Sequence, residues 1–538
     1  MVGNTENYVM SDFEYDIAQA QQAHIDGFAL NMAYGEVTNV RSVDMMFEAA
    51  QKAGFKLIFS FDYAGQGPWP QQDVIDMLNI YVDSPAYFRH STGQPLVSTF
   101  EGPKQSEDWV DIKKQTNAFF MPSWSSLGAK RAMKKGVADG LFSWGAWPEG
   151  PNAISEEVDA SYVDFLGKDA SGNKRSYMMP HMQPEYVQII SWNDYGESHY
   201  IGPVNNRAMV AFDIGEAPYN YALGLPHDAW RMFLPFIIDT YKAGKTSFTK
   251  EGLTVWYRRN PGRACSSGGT VGNNAAQVQA EGDPADFAED KVFFTALLSQ
   301  FALPRVRIGD GGEWTNVAWS VAPDGGVGLY HGSVPFNGRT GMVRVEINPV
   351  GDRNTIIAVV TGPSITTDCE HGIVNWNPWV GGAWSSGSVH ASPKLSLSDM
   401  LCTKGTGEGD FQEVCEFTCA YGYCPPGPCT CNELGGPKKE PKIVDVEGFP
   451  AAGRSCVLTG LCSWSCNHGK CPKAQCSTDK SLDGKCVMPV DEPEAPEQPD
   501  PPTPAPSKPA VVGPENLNPY NDPRWLNKNR CLFFQPPN

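Results

Sequence analysis

The chain has 538 residues, 41% of them hydrophobic and 11% aromatic, which is enough for about three or four folded units with substantial cores. A formal net charge of −19 repels phosphate backbones and argues against a nucleic-acid partner, while leaving neutral ligands unopposed. No stretch is long and apolar enough to span a membrane.

From the start to about residue 248, apolar strands alternate with amphipathic helices. Ser11 to Glu14 fits a capping box for a helix running to about His24. The strand GFALNMAY (27–34) follows, then a helix near 41–53 closed by Gly54, then KLIFSFDY (56–63). A helix near 71–82 precedes PLVSTFEG (95–102). Further strands are expected at FFMPSW (119–124), GLFSWGAW (140–147), SYMMP (176–180) and YVQIISWND (186–194). This alternation predicts an α/β fold with parallel strands and crossover helices. The number of units suits a (β/α)8-type barrel better than a doubly wound sheet. One spacing breaks the rule: only His181 to Glu185 separate SYMMP from YVQII, whereas a parallel crossover needs about a dozen residues. Either one of these strands is not in the barrel or a unit is missing, so the barrel is expected to be incomplete.

Residues 249–398 lose helical periodicity and carry Gly-bounded β-rich runs such as GLTVWYRR, GMVRVEIN and NTIIAVVTG, which predict a β-sandwich with Cys265 and Cys369 bridging its ends. Residues 399–486 hold two copies of one module. Cys415, Cys419, Cys424 and Cys429 recur 47 positions later as Cys462, Cys466, Cys471 and Cys476. Such density predicts disulfide staples and an oxidising compartment. Zinc is the rival reading, but its usual paired spacing is not met. Phe417, Tyr421, Tyr423 and Trp464 in these modules are candidates for binding polysaccharide. Residues 487–538 read as a Pro-rich linker or disordered tail. The opening MVGNTENYVM has neither the basic start nor the apolar run of a signal peptide, so a secreted protein with a missing N-terminus is expected.

Active residues of a β/α barrel sit where its strands end. Those ends supply Asp62 and Tyr63, Glu101, Trp124, Trp144 with Trp147 nearby, and Trp192-Asn193-Asp194 followed by Glu197 and His199. Asn31 and Tyr34 are weaker candidates for the same rim. Carboxylates and indoles converging on one mouth describe a sugar cleft, and glycoside hydrolysis needs two carboxyl groups, one acid and one base or nucleophile. Asp194 and Glu197 are close enough in sequence for either an inverting or a retaining separation. Nothing in the chain resembles a phosphate loop, a dinucleotide fingerprint or a zinc-protease helix, and no cofactor or metal is expected.

These segments carry a resemblance. DGFALNMAYG, FSFDYAGQGPWP, STFEGP, GLFSWGAWPEGPN, IISWNDYGESHYIGP and PHDAWRMFLPFIIDTYK resemble fungal glycoside hydrolase family 71, over about residues 1–370. The resemblance implies a β/α barrel joined to a β-sandwich, acting as an endo-α-1,3-glucanase (mutanase) with inversion and without a cofactor. By motif it places the acid and base at Asp194 and Glu197, leaving open which is which, and a third acidic position at Asp62. Glu101, Trp144, Trp147, Trp192, Asn193, Tyr63 and His199 are then expected to line the glucan cleft. The expected partner is α-1,3-glucan, bound by a monomer. Family members carry an aromatic-rich insertion between the segments matching SYMMP and PEYVQII, and it is absent here at the short crossover. The alternative is therefore a glucan-binding protein with impaired catalysis, and a glycosidase for another linkage is a third reading.

Overall fold

The computed structural model describes residues 1–144, 162, 165–167, 175–178, 185–267, 283–323, 326–396, 399–407, 409–425, 428–436, 438–455, 458–483 and 485–487. The chain divides into two compact units that part between Met400 and Leu401.

The first unit opens with α1 (Met10–Gln22), which starts one residue before the predicted box. The Asp12 carboxylate accepts from the Val9 N–H at 2.8 Å, so it is Asp12 that caps the helix start. Strands β1 (Gly27–Ala33), β2 (Lys56–Asp62), β3 (Leu96–Phe100) and β4 (Phe119–Ser123) form one parallel sheet in sequence order. Helices α2 (Thr38–Ala53), α3 (Gln71–Tyr81) and α4 (Asp108–Thr116) are the crossovers between them. A further parallel pair, β5 (Gly140–Phe142) and β6 (Ser176–Met178), is joined to β4 by the Asp139 N–H, which donates to Phe120 O at 2.9 Å.

The period-two alternation of the strands sorts their side chains into two cores. Leu57, Phe59 and Phe61 pack with the helices, beside Ile17, Val43 and Leu78. Ile58, Leu96, Phe119, Met121, Phe142, Met178 and Ile190 form a separate inner cluster. The register sets Ala33 beside Asp62, Asp62 beside Phe100 and Phe100 beside Ser123, so the strands end in one row.

The expected strand over 186–194 is not formed. Tyr186 makes an isolated bridge to Met178, and the following backbone pairs with its own continuation instead. The Ser191 N–H donates to His199 O at 3.0 Å, the Ile201 N–H to Ser191 O at 3.0 Å and the Gly202 N–H to Trp192 O at 2.7 Å. The apolar run YVQII has strand character but no crossover long enough to lay it along the sheet.

Two four-stranded antiparallel sheets complete this unit. One runs in the order Thr315–Asn316, Ala302–Ile308, Gly341–Pro349, Ala358–Ile365, and the other Gly328–Pro335, Lys291–Leu298, Gly252–Tyr257, Trp379–Trp384. Leu253, Val255 and Phe294 from one and Val306, Val345 and Val360 from the other share a single core. The Cys265–Cys369 disulfide forms as the sequence predicts. Asn377, in the loop before the last strand, donates to the Tyr200 hydroxyl at 2.9 Å and so anchors the segment that carries the acidic turn.

The second unit repeats one disulfide pattern. Cys415–Cys429 and Cys419–Cys424 in the first copy match Cys462–Cys476 and Cys466–Cys471 in the second; Cys402–Cys431 also closes the first copy, and Cys486 of the second is disulfide-bonded as well. These bonds take up the thiolates that the zinc reading needs. Helices Gln412–Cys419 and Thr459–Asn467 face each other. Phe417, Tyr421, Tyr423 and Trp464 form one chain of ring contacts across that seam. Trp464 stacks on Tyr423 at 5.4 Å and on His468 at 4.0 Å, so this indole is largely engaged within the unit.

Candidate active site

Asp194, Glu197 and His199 share a tight turn held by the backbone bonds from Ser191, Ile201 and Gly202. Within it the Ser191 hydroxyl accepts from the Asp194 N–H at 3.1 Å, and the Asp194 carboxylate accepts from the Glu197 N–H at 3.1 Å. Ser198 has φ 64, a left-handed conformation that costs a non-glycine residue on the order of 1 kcal/mol. Gly202 is required by close approach: a Cβ there would meet Trp192 O at 2.5 Å and Trp192 Nε1 at 2.7 Å.

The turn brings both carboxylates to one imidazole. His199 Nε2 lies 2.7 Å from Glu197 Oε2 and 3.8 Å from Asp194 Oδ2. An oxygen of each carboxylate and the ring nitrogen all lie within 4.8 Å of one another. Burial by itself lowers the His199 pKa, but the hydrogen bond to Glu197 and the charges of Asp194 and Glu197 outweigh it and hold the ring above its ordinary value.

A cavity of about 600 Å³ runs along β1 to this turn, walled by Asn31, Asp62, Phe100, Trp144, Trp192, Asn193, Asp194, Glu197 and His199. Asp62 enters it from the end of β2. Its Oδ1 accepts from the Ala64 and Gly65 N–H groups at 2.8 and 2.9 Å, which fixes the carboxylate against the following loop. Trp144 packs edge-on against Phe100 and Phe142, at 4.9 and 5.5 Å. Asn193 reaches the cavity while holding the first residues, accepting from the Met1 amino group at 2.7 Å.

Two expected lining residues lie elsewhere. Tyr63 and Glu101 each follow the last strand residue by one position, so the alternation that turns Asp62 and Phe100 into the cavity turns them the other way. Tyr63 is buried among the helix-side residues, with its ring against Gly102, whose φ of 89 and missing Cβ make the contact possible. Glu101 is buried too. Its carboxylate accepts from the Ser126 N–H at 3.0 Å and from the Ser126 hydroxyl, holding the loop after β4. Trp124, by the same parity, is buried and donates to Glu101 O at 3.1 Å. Tyr34 packs on Trp69 at 5.4 Å rather than on the cavity, and Trp147 lies outside the described residues.

One wall residue escaped the sequence reading. Asp16 is 3% exposed, on the face of α1 that also buries Phe13, Ile17 and Ala20. A lone carboxylate within a stripe at i, i+3, i+4 and i+7 was the available signal. The Tyr8 hydroxyl donates to it at 3.2 Å. Burial pushes its carboxyl up to about 7, against the hydrogen bond from Tyr8, with Asp12 adding to the rise and Arg231 opposing it.

Comparison with known proteins gives one consistent result. The family described as Glycosyl hydrolase family 71 matches residues 1–181 and 173–392, its two pieces overlapping over 173–181, just ahead of the short crossover. The chain is 28% identical over 416 residues to a mutanase of Penicillium rubens, covering 71% of this chain and 87% of that protein. It is 29% identical over 428 residues to the glucan endo-1,3-alpha-glucosidase agn1 of Schizosaccharomyces pombe, covering 71% and 92%. An ascus wall endo-1,3-alpha-glucanase of Schizosaccharomyces pombe is 24% identical over 381 residues, covering 61% and 87%. Among solved structures, a GH99 endo-alpha-mannosidase from Bacteroides thetaiotaomicron aligns with a TM-score of 0.33 at 12% identity, over 45% of this chain and 81% of that one.

Proposed function

The chain belongs to glycosyl hydrolase family 71, and from that premise we propose that it is an endo-acting α-1,3-glucanase whose acid and base are drawn from Asp194 and Glu197. The observation that carries this reading is the meeting of both carboxylates at the wall of a cavity that also holds Asp62, Trp144 and Trp192. In this reading the indoles offer flat faces to the sugar rings, Asp62 orients water or substrate, and Asn193 and His199 complete the lining. The relatives named as glucan endo-1,3-alpha-glucosidase and mutanase supply the substrate class.

The stereochemical outcome puts a condition on this site. Inverting enzymes hold their two carboxyl groups about 6.5–9.5 Å apart so that a water fits between. Asp194 and Glu197 have oxygens within 4.8 Å and share His199, so they stand on one wall rather than facing each other across a groove. Inversion through this pair requires sugar binding to part them, with Glu197 leaving the imidazole.

We assign residues 1–248 to an incomplete (β/α)8-type barrel, 249–398 to a β-sandwich, 399–486 to two Cys-rich modules and 487–538 to a linker. The disulfides suit a secreted or cell-wall protein, and among the described residues no helix is long and apolar enough to cross a membrane. The second reading, a glucan binder with impaired turnover, is favoured by one specific observation: residues 186–194 add no strand beyond β6.

The test is reducing-sugar release from insoluble α-1,3-glucan, with α-1,4-glucan and mannan as comparison substrates and the anomeric form of the first product read by NMR. Asp194→Asn and Glu197→Gln are each expected to lower release by about a hundredfold or more while the chain still sediments with glucan. Binding without release from the parent chain selects the second reading, and release from mannan or α-1,4-glucan in preference replaces the substrate.

A further inference from the structure

The two antiparallel sheets of the first unit turn different outer faces to their surroundings. The sheet that ends at Trp379–Trp384 is covered on its outer side, where Trp256 meets Trp230 at 6.3 Å and Trp384 meets Phe233 at 5.6 Å. The other sheet carries arginines there. Along Ala302–Ile308 the side chains of Ala302, Val306 and Ile308 enter the shared core, so alternation turns Arg305 and Arg307 outward. The register sets Glu346 beside Arg305 and Arg344 beside Arg307 on the neighbouring strand. Trp314 lies against both guanidiniums of the first strand, its ring centre 4.3 Å from Arg305 Cζ and 5.0 Å from Arg307 Cζ.

Glu346 is the anchor of this face. It is 2% exposed, and its carboxylate accepts from Arg305 Nε at 2.8 Å and Nη2 at 2.5 Å and from Arg344 Nε at 2.7 Å. One buried carboxylate thus fixes two guanidinium planes. Arg307 is different. Among the described residues its guanidinium meets the Trp314 ring but no carboxylate or other hydrogen-bond acceptor. Like charges directly opposite each other on neighbouring strands destabilise a sheet, so the Arg307–Arg344 pair works against the fold. In a chain of net charge −19, three guanidiniums nevertheless gather here around one carboxylate. Glu313, next to Trp314 in the chain, is exposed to water and screened by it.

We propose that this outer face, with Arg307, Arg344 and Trp314 set on the Arg305–Glu346 anchor, binds an acidic polysaccharide through its carboxylate or phosphate groups. A guanidinium fork matches the paired oxygens of either group, and stacking on Trp314 holds the Arg307 fork in one plane. The patch acts over roughly 8–10 Å at physiological salt. A sugar chain that carries its anions far apart sets one of them on the patch without bringing others against the acidic remainder of the surface. A nucleic-acid duplex, with one charge per ~1.7 Å, meets that repulsion on either side. The assignment is independent of the acid/base reading of Asp194 and Glu197, and it gives the protein a second, charged polymer to hold.

The test is retention of the full chain on immobilised polygalacturonate and on immobilised phosphorylated mannan, with unsubstituted mannan as the neutral control. The parent is expected to be retained on at least one acidic polymer and to be released about tenfold more at about 500 mM salt than at about 20 mM. Retention on polygalacturonate alone identifies the carboxylate as the ligand, and retention on phosphorylated mannan alone the phosphate. Arg307→Gln and Arg344→Gln are each expected to lower retention by about tenfold. Thermal unfolding of Arg307→Gln is expected at the parent temperature or above it, because the opposed charges are relieved. Arg344→Gln carries the test alone where Arg307→Gln fails to fold. Retention of the parent no greater on either acidic polymer than on the neutral one overturns the assignment. So does equal retention of parent and variants, or tighter binding of duplex DNA than of both acidic polymers.

Discussion

His199 Nε2 and Glu197 Oε2 lie 2.7 Å apart, two residues from each other on a turn whose backbone closes on itself. Both side chains are about nine-tenths buried, so the imidazole serves as the local counter-charge for a carboxylate with little access to water.

That pairing fixes a pH dependence. Because the His199 pKa lies above the ordinary imidazole value, the folded chain keeps a proton that the unfolded chain has released. The stabilisation is complete below about pH 6.5 and fades as pH rises through the folded value. His199→Gln is expected to remove this dependence and to lower stability at about pH 5 by about 3 kcal/mol, since it takes away the charged imidazole that is hydrogen-bonded to the buried Glu197 carboxylate. Thermal unfolding of both chains across pH checks it. Equal slopes above neutrality would contradict a charged His199.

Gly202→Ala tests the carrier of the turn rather than its chemistry. The added methyl meets the Trp192 carbonyl at 2.5 Å, closer than any relaxed contact. The expected cost is about 1–3 kcal/mol of stability, with a turnover loss of about a hundredfold from the shift of Asp194 and Glu197. A variant as active and as stable as the parent would show that the turn tolerates movement at this point.

The Cys-rich unit is expected to add surface attachment. A chain ending at Met400 should keep its fold, because the two compact units part there, and should lose about tenfold in retention on insoluble glucan. Sedimentation of both chains with glucan reads the difference, and equal retention assigns all binding to the first unit. Thiol labelling of the denatured parent should leave the paired cysteines of both repeats unreacted.

Much of the parallel sheet was legible from the chain itself. The runs beginning at Gly27, Lys56 and Phe119 form strands within a residue of their predicted ends, because short apolar stretches bounded by Gly, Asp and Asn have few other places to go. The repeat of cysteine spacing likewise announced a disulfide-stapled doublet, while which cysteines pair came only from the structure. The facing of residues just past a strand was not legible. Asp62 and Tyr63 are neighbours in sequence, and only the register decides that the first meets the cavity and the second the helices. The segment 186–194 misled for a different reason: its apolar alternation satisfies a strand, but strand formation also needs a free neighbour, and the backbone found its partners at His199, Ile201 and Gly202 instead. Asp16 was hidden by its surroundings, since one acidic residue in an amphipathic helix is ordinarily assigned to the wet face.

The stacked rings of Tyr423 and Trp464 come from different copies of the duplicated module. Each copy closes its described disulfides internally, yet Trp464 of the second is covered in part by Tyr423 and Phe417 of the first. A lone copy, severed by proteolysis, would stay cross-linked and bare the ring surface that its twin now shields.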